Sequence, residues 1–298
     1  MKKTLLFFYI IFFLSSTMIK INSQSLKSLS DEFNDEKTIG NWEKFSKTEK
    51  WPDRIEKLEI GKEVKGNLNF VPLFGGWWEG FHGSYIYKEV TGDFLVITKV
   101  KVKGKKTSLP TVSWNRGGIL IRTPGDIKII PENRKENFVH IMTGVNGQKN
   151  FVIYTGSTKE NSYQWKDYPE AEQKESIYVE LGILRIKDVV ITFSKKENSQ
   201  EWKINSRFFR GDLPQTLQVG LTGCAEPYDK TGNWLNSKYN YYNYNKEVLP
   251  SEYPADVNMF VDYFKFYDAN LNEKDKNSIS ENSFTDKKLI EIINLLIK

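Results

Sequence analysis

Residues Gly76–Gly104, which read GWWEGFHGSYIYKEVTGDFLVITKVKVKG, decide the fold of this chain. Their second half alternates between two sets of side chains. One set is Phe94, Val96, Thr98, Val100 and Val102, and the other is Leu95, Ile97, Lys99, Lys101 and Lys103. A period of two over this length predicts a β-strand with one face on a core and the other grading into solvent. The Thr91–Asp93 turn before it predicts a hairpin.

The first residues of the chain have the composition of a secretory signal. Two lysines precede an apolar run at Leu5–Leu14, and small hydroxyl residues follow it. A membrane span needs about 20 apolar residues and this run is about half as long, which argues against an uncleaved anchor. Cleavage after Ser16 or after Gln24 is compatible with the pattern. We therefore expect residues 1–24 to be removed and the mature protein to be secreted or periplasmic, with no membrane span.

Charge and cysteine content narrow the class of protein further. The formal net charge of +5 falls by three when Lys2, Lys3 and Lys20 leave with the signal. A charge this low, with scattered lysines, argues against a nucleic-acid partner. Cys224 is the only cysteine, so no disulfide forms within the chain, and stability must come from a large core or a metal. We expect a buried, inert thiol there and a monomeric protein.

About a dozen short alternating segments, separated by turn residues, follow one another along the chain. This pattern predicts an all-β fold: a two-sheet antiparallel jelly-roll sandwich with a short C-terminal helix. The predicted division is a polar leader at 25–30, the sandwich at 31–268, and a polar linker with an amphipathic helix at 269–298. Leu289, Ile292, Ile293 and Leu296 recur at helical spacing in the last segment, and we expect this helix to dock on the sandwich.

Three local predictions accompany this division. Residues 31–45 are interpreted as an edge strand and a turn, because Gly40, Asn41 and Trp42 interrupt any helical period. Residues 161–175 are interpreted as a polar loop. Residues 223–254 are interpreted as a long insertion rich in tyrosine.

Four stretches carry a family resemblance: GSYIYKEVTGDFLVITKVKVKG, GGILIRTP, LPQTLQVGLTG and the closing VDYFKFY. They resemble an uncharacterised bacterial secreted family of concanavalin A-like domains, in the superfamily of laminarinase-type glucanases, lectins and some polysaccharide lyases. The similarity extends over roughly residues 31–268. It implies a jelly-roll sandwich whose concave face often binds glycans. It does not imply catalysis, because one fold hosts unrelated functions.

The catalytic candidates are Arg122, His140 and Tyr154, which fall on neighbouring predicted strands. The superfamily's glucanases carry an E-x-D-x-x-E strand motif that supplies paired carboxylates, and this chain lacks it. A lyase acting on uronic acids instead needs a cation and a base such as His or Tyr, which these three residues would supply. The alternative is that Arg122 ends a strand and His140 is a hydrogen-bonded sheet residue.

Aromatic residues in or beside loops are the candidates for glycan binding, because flat ring faces stack on sugar rings. The candidate ligand-binding residues are Trp77, Trp78, His82, Trp114, Arg116 and Trp234. For the Trp77–Trp78 pair, we expect one ring inside the sandwich and one outside. The alternative is that such rings close the end of the sandwich.

Asp262 shares the predicted face of the last strand with phenylalanines, and a carboxylate there must be paired or metal-bound. One hypothesis is a structural Ca²⁺ held by Asp262 and Asp31, where the first and last strands meet. The other is an ion pair with a lysine or arginine. No other cofactor is expected.

These observations favour a secreted carbohydrate-binding sandwich without catalysis, whose partner is a polysaccharide or glycan. The first alternative is a polysaccharide-degrading lyase or glycoside hydrolase that acts on the concave face. The second alternative is a protein-interaction domain of the envelope, with the terminal helix as its contact.

Overall fold

The computed structural model describes residues 25–225, 241–246 and 255–298, and they form two antiparallel sheets of seven strands each. Sheet I has the order β1-β4-β13-β6-β7-β8-β9, with strands Glu43–Lys44, Ser84–Thr91, Thr216–Cys224, Arg116–Arg122, Phe138–Val145, Phe151–Lys159 and Ser162–Glu170. Sheet II has the order β12-β11-β10-β5-β14-β3-β2, with strands Lys203–Phe209, Val189–Lys196, Val179–Ile186, Phe94–Lys103, Asn258–Asp268, Leu68–Pro72 and Ile55–Ile60. The predicted two-sheet sandwich is confirmed.

The main core lies between the two sheets, and β5 shows how the sequence builds it. Phe94, Val96 and Val100 belong to this inner core together with Ile119, Ile121 and other residues of sheet I. Leu95 and Ile97 point to the opposite side and join a second apolar cluster on the outer face of sheet II. The two sets predicted from the period-two alternation therefore occupy the two faces of the strand.

The second cluster is covered by the C-terminal helices, α3 (Glu273–Ser280) and α4 (Asp286–Ile297). The Thr285 hydroxyl accepts a hydrogen bond from the Lys288 N–H and so caps α4. Leu289, Ile292 and Ile293 are buried in the same cluster as Leu95. The terminal helix thus packs on the sandwich, as its apolar spacing indicated.

Two local predictions need correction, although residues 31–45 do include an edge strand of sheet I, Glu43–Lys44. Residues 31–45 contain a 3-10 helix at Glu36–Asn41 and lead into helix α1, Phe45–Glu49; the two-residue strand Glu43–Lys44 lies between them. Phe45 and Glu49 are both buried, so tertiary contacts stabilise a helix too short to be recognised from its period. Residues 162–170 form the edge strand β9 rather than a loop. Its polar side chains fit an edge position, where one side of the strand faces water.

The insertion lies mostly outside the described residues, which include from it only the end of β13, Ala225 and helix α2, Tyr241–Lys246. Tyr244 of α2 is buried against Phe74, Trp78 and Phe81. The Asn245 side chain donates to the Gly80 carbonyl at 2.8 Å and accepts from the His82 N–H at 2.9 Å. Helix α2 is therefore fastened to the loop between β3 and β4.

The face assigned to Asp262 is wrong, because a bulge in β14 between Val261 and Tyr263 shifts its register against β5. The Asp262 carboxylate is 39% exposed and lies 3.1 Å from the Lys99 ammonium, which is the ion-pair alternative. Asp31 is buried and accepts hydrogen bonds from Thr38 and from the Trp42 indole. The observed partners of both carboxylates are protein groups. Within the described ranges, no group of three or more metal-ligating side chains is found.

Candidate functional site

The outer face of sheet I brings together the three catalytic candidates. Arg122 on β6 pairs with Phe138 on β7, His140 pairs with Leu120, and Tyr154 on β8 pairs with Met142. Residues two apart share a face. Arg122, His140 and Tyr154 therefore lie on the same face of three neighbouring strands. Their contacts divide the face into two zones, a charged zone around Arg122 and an aromatic zone around Tyr154.

The charged zone is a buried cluster in which Arg122 binds two carboxylates. Its guanidinium donates to Glu49 at 2.5 and 3.2 Å and to Glu136 at 2.9–3.2 Å. The Gln218 side-chain oxygen accepts a further bond at 2.7 Å. The arginine and carboxylate side chains are at most 5% exposed. Glu49 comes from α1 and Glu136 from the loop before β7, so the cluster fastens both segments to the sheet.

The charges of this cluster are mutually dependent. Burial alone would raise the pKa of Glu136, but Arg122 and His82 outweigh it and lower that pKa to about 2. Burial opposes the charge of Arg122, yet Glu136 and Glu49 raise its pKa above the ordinary value. Arg122 is thus already neutralised by two carboxylates. It is not placed to neutralise a substrate, and the sequence-based role for it lacks support in this geometry.

The loop residues Trp77, Trp78 and His82 are all buried, at 1%, 9% and 3% exposure. Trp77 packs against Phe45 on the sheet face, and Trp78 stacks on Phe81 beneath α2. The expectation that one tryptophan of the pair is outside is wrong, because α1 and α2 cover both rings. Trp77, Trp78 and His82 do not present a surface to a ligand in this structure.

His82 belongs to the charged zone. Its Nε2 lies 2.8 Å from a Glu136 oxygen. Burial lowers its pKa more strongly than Glu136 raises it, so the ring is neutral and donates from Nε2. The histidine therefore orients Glu136 and takes part in fastening the loop.

In the aromatic zone, His140, Tyr163 and Tyr154 form a hydrogen-bonded chain. The Tyr163 hydroxyl lies 3.1 Å from His140 Nε2 and 2.7 Å from the Tyr154 hydroxyl. Burial, and next the charge of Arg116, hold the pKa of His140 well below its usual range, so the ring is neutral. Gly156 leaves the necessary space, because a Cβ there would lie 2.5 Å from His140 Nε2. Tyr163 is the member of the chain that is partly exposed.

Beside this chain, Trp165 forms an exposed ring surface. It is 51% exposed, stacks on Tyr154 at a centroid distance of 5.7 Å and meets the edge of half-buried Trp114 at 5.9 Å. The Arg116 guanidinium lies 3.8 Å over the Tyr154 ring and 5.0 Å from the Trp114 centroid. Buried Arg116 supports the rings from below by cation–π contact. Trp114 and Arg116 are the predicted ligand-binding residues that the structure places at an open ring surface.

A carboxylate flanks the exposed ring. Asp167 lies two residues after Trp165 on the same face of β9, and one of its oxygens accepts a 3.3 Å bond from the Asn146 amide. Asn146 is itself buried and holds the turn after β7 through bonds from the Gln148 and Asn150 N–H groups. Asp167 is partly exposed, and its second oxygen accepts no hydrogen bond from the described residues. We call Trp165, Trp114 and Asp167 the tryptophan shelf.

Trp165, Tyr163 and Asp167 were missed because the segment was interpreted as a loop. The signal was present in their spacing, since Tyr163, Trp165 and Asp167 alternate with Gln164 and Lys166. Trp234 lies outside the described residues. Glu49 and Glu136 were also missed, since nothing local marks either as the partner of Arg122, which lies 73 and 14 residues away from them in the chain.

Comparisons with known proteins concern the fold. No family model matches the sequence, and no curated protein matches it. Among solved structures, a xylan β-1,4-xylosidase from Bacillus halodurans C-125 is 15% identical, with 80% of this chain and 38% of that one covered and a TM-score of 0.48. The metal-free lectin I-B4 from Griffonia simplicifolia is 11% identical over 80% of this chain and 98% of the lectin, with a TM-score of 0.44. A legume lectin-like domain from Entamoeba histolytica is 11% identical over 78% and 92%, with a TM-score of 0.41.

The chain spans well under half the length of the xylosidase. The resemblance to an uncharacterised secreted family stays a prediction. Among the residues that the structure describes, no helix has both the length and the apolar character that a bilayer crossing requires.

Proposed function

We propose that this protein binds a glycan on the tryptophan shelf, outside the cytoplasm. The observation that carries the proposal is the exposed Trp165 ring. A large ring on an edge strand adds nothing to the inter-sheet core, yet Tyr154, Trp114 and Arg116 hold it in a fixed orientation. A ring that is already ordered loses little conformational entropy when a ligand stacks on it.

Asp167 gives the shelf a polar component. Sugar rings offer apolar C–H faces and, around their edges, hydroxyl donors. A fixed aromatic face beside a carboxylate matches both features, because hydroxyl groups donate to the open Asp167 oxygen while the sugar face covers Trp165. The Asn146 bond at 3.3 Å orients that carboxylate before any ligand arrives.

The test is a titration of the secreted protein with soluble xyloglucan, galactomannan, mixed-linkage β-glucan, alginate and polygalacturonate by affinity electrophoresis. We expect retardation by at least one of them. Trp165→Ala should weaken the apparent affinity about tenfold or more, equivalent to about 1.4 kcal/mol. Phe209→Ala is the control for removing an exposed ring, because Phe209 is 72% exposed and lies on β12, in the other sheet.

One outcome would refute the shelf as the binding surface, and another would refute glycan binding itself. Retardation that is the same for wild type, Trp165→Ala and Phe209→Ala would mean that the shelf is not the binding surface. No retardation by any polysaccharide would remove glycan binding as the function.

A second candidate function is catalysis at Tyr163, favoured by the His140–Tyr163–Tyr154 chain. A neutral imidazole in hydrogen-bond reach of a partly exposed hydroxyl is an arrangement for proton transfer. In this version His140 and Tyr154 keep a role that sequence analysis assigned to them, and Tyr163 replaces Arg122 as the third member.

Incubation with the same polysaccharides tests this candidate. New reducing ends would indicate hydrolysis, and new ultraviolet-absorbing unsaturated ends would indicate elimination. Activity that Tyr163→Phe abolishes, while retardation on the gel is retained, would support catalysis. Absence of both products at pH values from about 5 to 9, with binding intact, would leave binding alone.

A further inference from the structure

The outer face of sheet II carries a groove that none of the functions above uses. Two adjoining cavities of about 290 and 550 Å³ share Glu180, Lys195 and Tyr263, and the larger one lies between the sheet and α4. Volumes of this order are typical of sites for small ligands. We call the two cavities together the sheet II groove.

Three partly exposed tyrosines follow the groove along the strand direction. Tyr267 pairs with Leu95 and Tyr263 with Lys99, while Tyr178 directly precedes Val179, the partner of Val100. Tyr178 therefore falls beside Lys101, and the ends of the row are six positions of β5 apart, which is about 20 Å of strand. The rings therefore line an elongated path, longer than a single sugar.

Polar groups alternate with these rings. Glu180 accepts a hydrogen bond from the Tyr263 hydroxyl and forms an ion pair with the Lys195 ammonium. Burial, followed by the contact with Glu180, raises the pKa of Tyr263, so its hydroxyl stays protonated as a donor. Lysine ammonium groups lie 4.4 Å from the Tyr263 ring centre (Lys265) and 5.1 Å from that of Tyr178 (Lys99).

The charge balance decides the class of ligand. Lys99 is paired with Asp262, Lys265 with Glu32, Lys195 with Glu180 and Lys196 with Glu170. Four of the five lysines that line the two cavities are thus matched by carboxylates. Lys298 and Glu197 add one further charge of each sign to the lining, so the groove has no marked positive excess to select an anionic polymer. Paired donors and acceptors between flat rings instead fit a neutral chain with hydroxyl groups.

We propose that the sheet II groove is a second binding site for a neutral polysaccharide, on the side of the sandwich opposite the tryptophan shelf. This inference rests on the proposed function of the shelf. Because the two sites lie on the outer faces of opposite sheets, one protein molecule cannot easily place both on the same short ligand. It can bind two chains, or two distant stretches of one chain, and so cross-link a polysaccharide and gain avidity.

The experiment combines affinity electrophoresis with light scattering, using long-chain xyloglucan, galactomannan and mixed-linkage β-glucan as probes. Four variants are compared with wild type: Trp165→Ala for the shelf, the pair Tyr178→Ala with Tyr267→Ala for the groove, all three substitutions together, and Phe209→Ala as control. Glu180→Gln is added because it keeps the shape of the groove while removing its charge. Unfolding curves show which variants are folded.

We expect wild type and Phe209→Ala to increase the apparent size of the polysaccharide. The shelf variant and the groove variant should each still be retarded on the gel but should lose this increase, and the triple variant should lose both. Glu180→Gln should weaken cross-linking at least severalfold without loss of the fold.

Two results would overturn the second site while leaving the shelf intact. One is complete loss of retardation in Trp165→Ala. The other is undiminished cross-linking in the groove variant and in Glu180→Gln. If wild type is not retarded by any of the three neutral probes, the second site is refuted, while retardation by alginate or polygalacturonate would still support the shelf.

Discussion

Replacing Arg122 with methionine tests whether the charged zone is a structural fastening. The guanidinium is 1% exposed and is bound by Glu49 and Glu136, whose side chains are at most 5% exposed. Removing one partner of a buried ion pair leaves uncompensated charge and costs about 3–5 kcal/mol. The pKa of Glu136 points in the same direction, since Arg122 and His82 outweigh the effect of burial and lower it to about 2. We expect a loss of this order in the free energy of unfolding at pH 7.

The cost should also depend on pH in a defined direction. Without Arg122, burial should raise the folded pKa of Glu136 above its unfolded value. Groups whose folded pKa is raised bind protons on folding, so the stability of the variant should increase as pH falls from about 7 to about 5. The wild type lacks this gain, so the difference in free energy of unfolding between wild type and variant should become smaller as pH falls.

Urea unfolding followed by tryptophan fluorescence measures the loss in free energy of unfolding at pH 7 and its change with pH. Lys44→Met is the matched control, because its pair with Asp53 is 40–45% exposed and should be worth less than about 1 kcal/mol. A loss in Arg122→Met no larger than in the control, or a loss that does not change with pH, would contradict the assignment of the cluster as a buried fastening.

Three further predictions concern stability. Glu136→Gln should remove a contribution to the free energy of unfolding that is fully present above pH 4.5 and is lost as pH falls toward about 2, because the folded pKa of Glu136 is lowered. The free energies of unfolding of wild type and variant, measured as a function of pH, should therefore converge at low pH. A difference that stays constant with pH would contradict this prediction. Gly156→Ala should cost about 1–3 kcal/mol by forcing His140 and Tyr163 apart, whereas Gly40→Ala, with nothing within 4 Å, should be nearly neutral in the same melt. Asp262→Asn should cost less than about 1 kcal/mol, and EGTA should leave the melting temperature of wild type unchanged; a fall on chelation that Ca²⁺ reverses would restore the calcium hypothesis.

Period-two alternation predicted which side chains share a face within a single strand. The two faces of β5 and the common face of Phe138, His140 and Met142 follow from backbone geometry alone. The face shared by Arg122, His140 and Tyr154 was open from the sequence, because it depends on the register between strands. Strand neighbourhood itself depends on the turns and on long-range pairing, which the pattern within one segment does not contain.

Features that arise from distant contacts could not be predicted. Glu49 meets Arg122 across 73 residues, and neither residue carries a local sign of the other. Trp78 is buried because α2, more than 160 residues further along, covers it. The bulge in β14 moves Asp262 out of the face that counting by twos assigns to it. In each case a tertiary contact or a local irregularity overrides the pattern.

The position of α4 has a consequence for biosynthesis. The apolar strip that it covers, which includes Leu95, Leu184 and Ile191, is complete as soon as β5, β10 and β11 have paired. Helix α4 follows every one of these strands in the chain, so a nascent protein exposes this apolar strip until α4 has been synthesised. Folding intermediates are then prone to self-association through this apolar surface, and binding by molecular chaperones would be most useful before α4 docks.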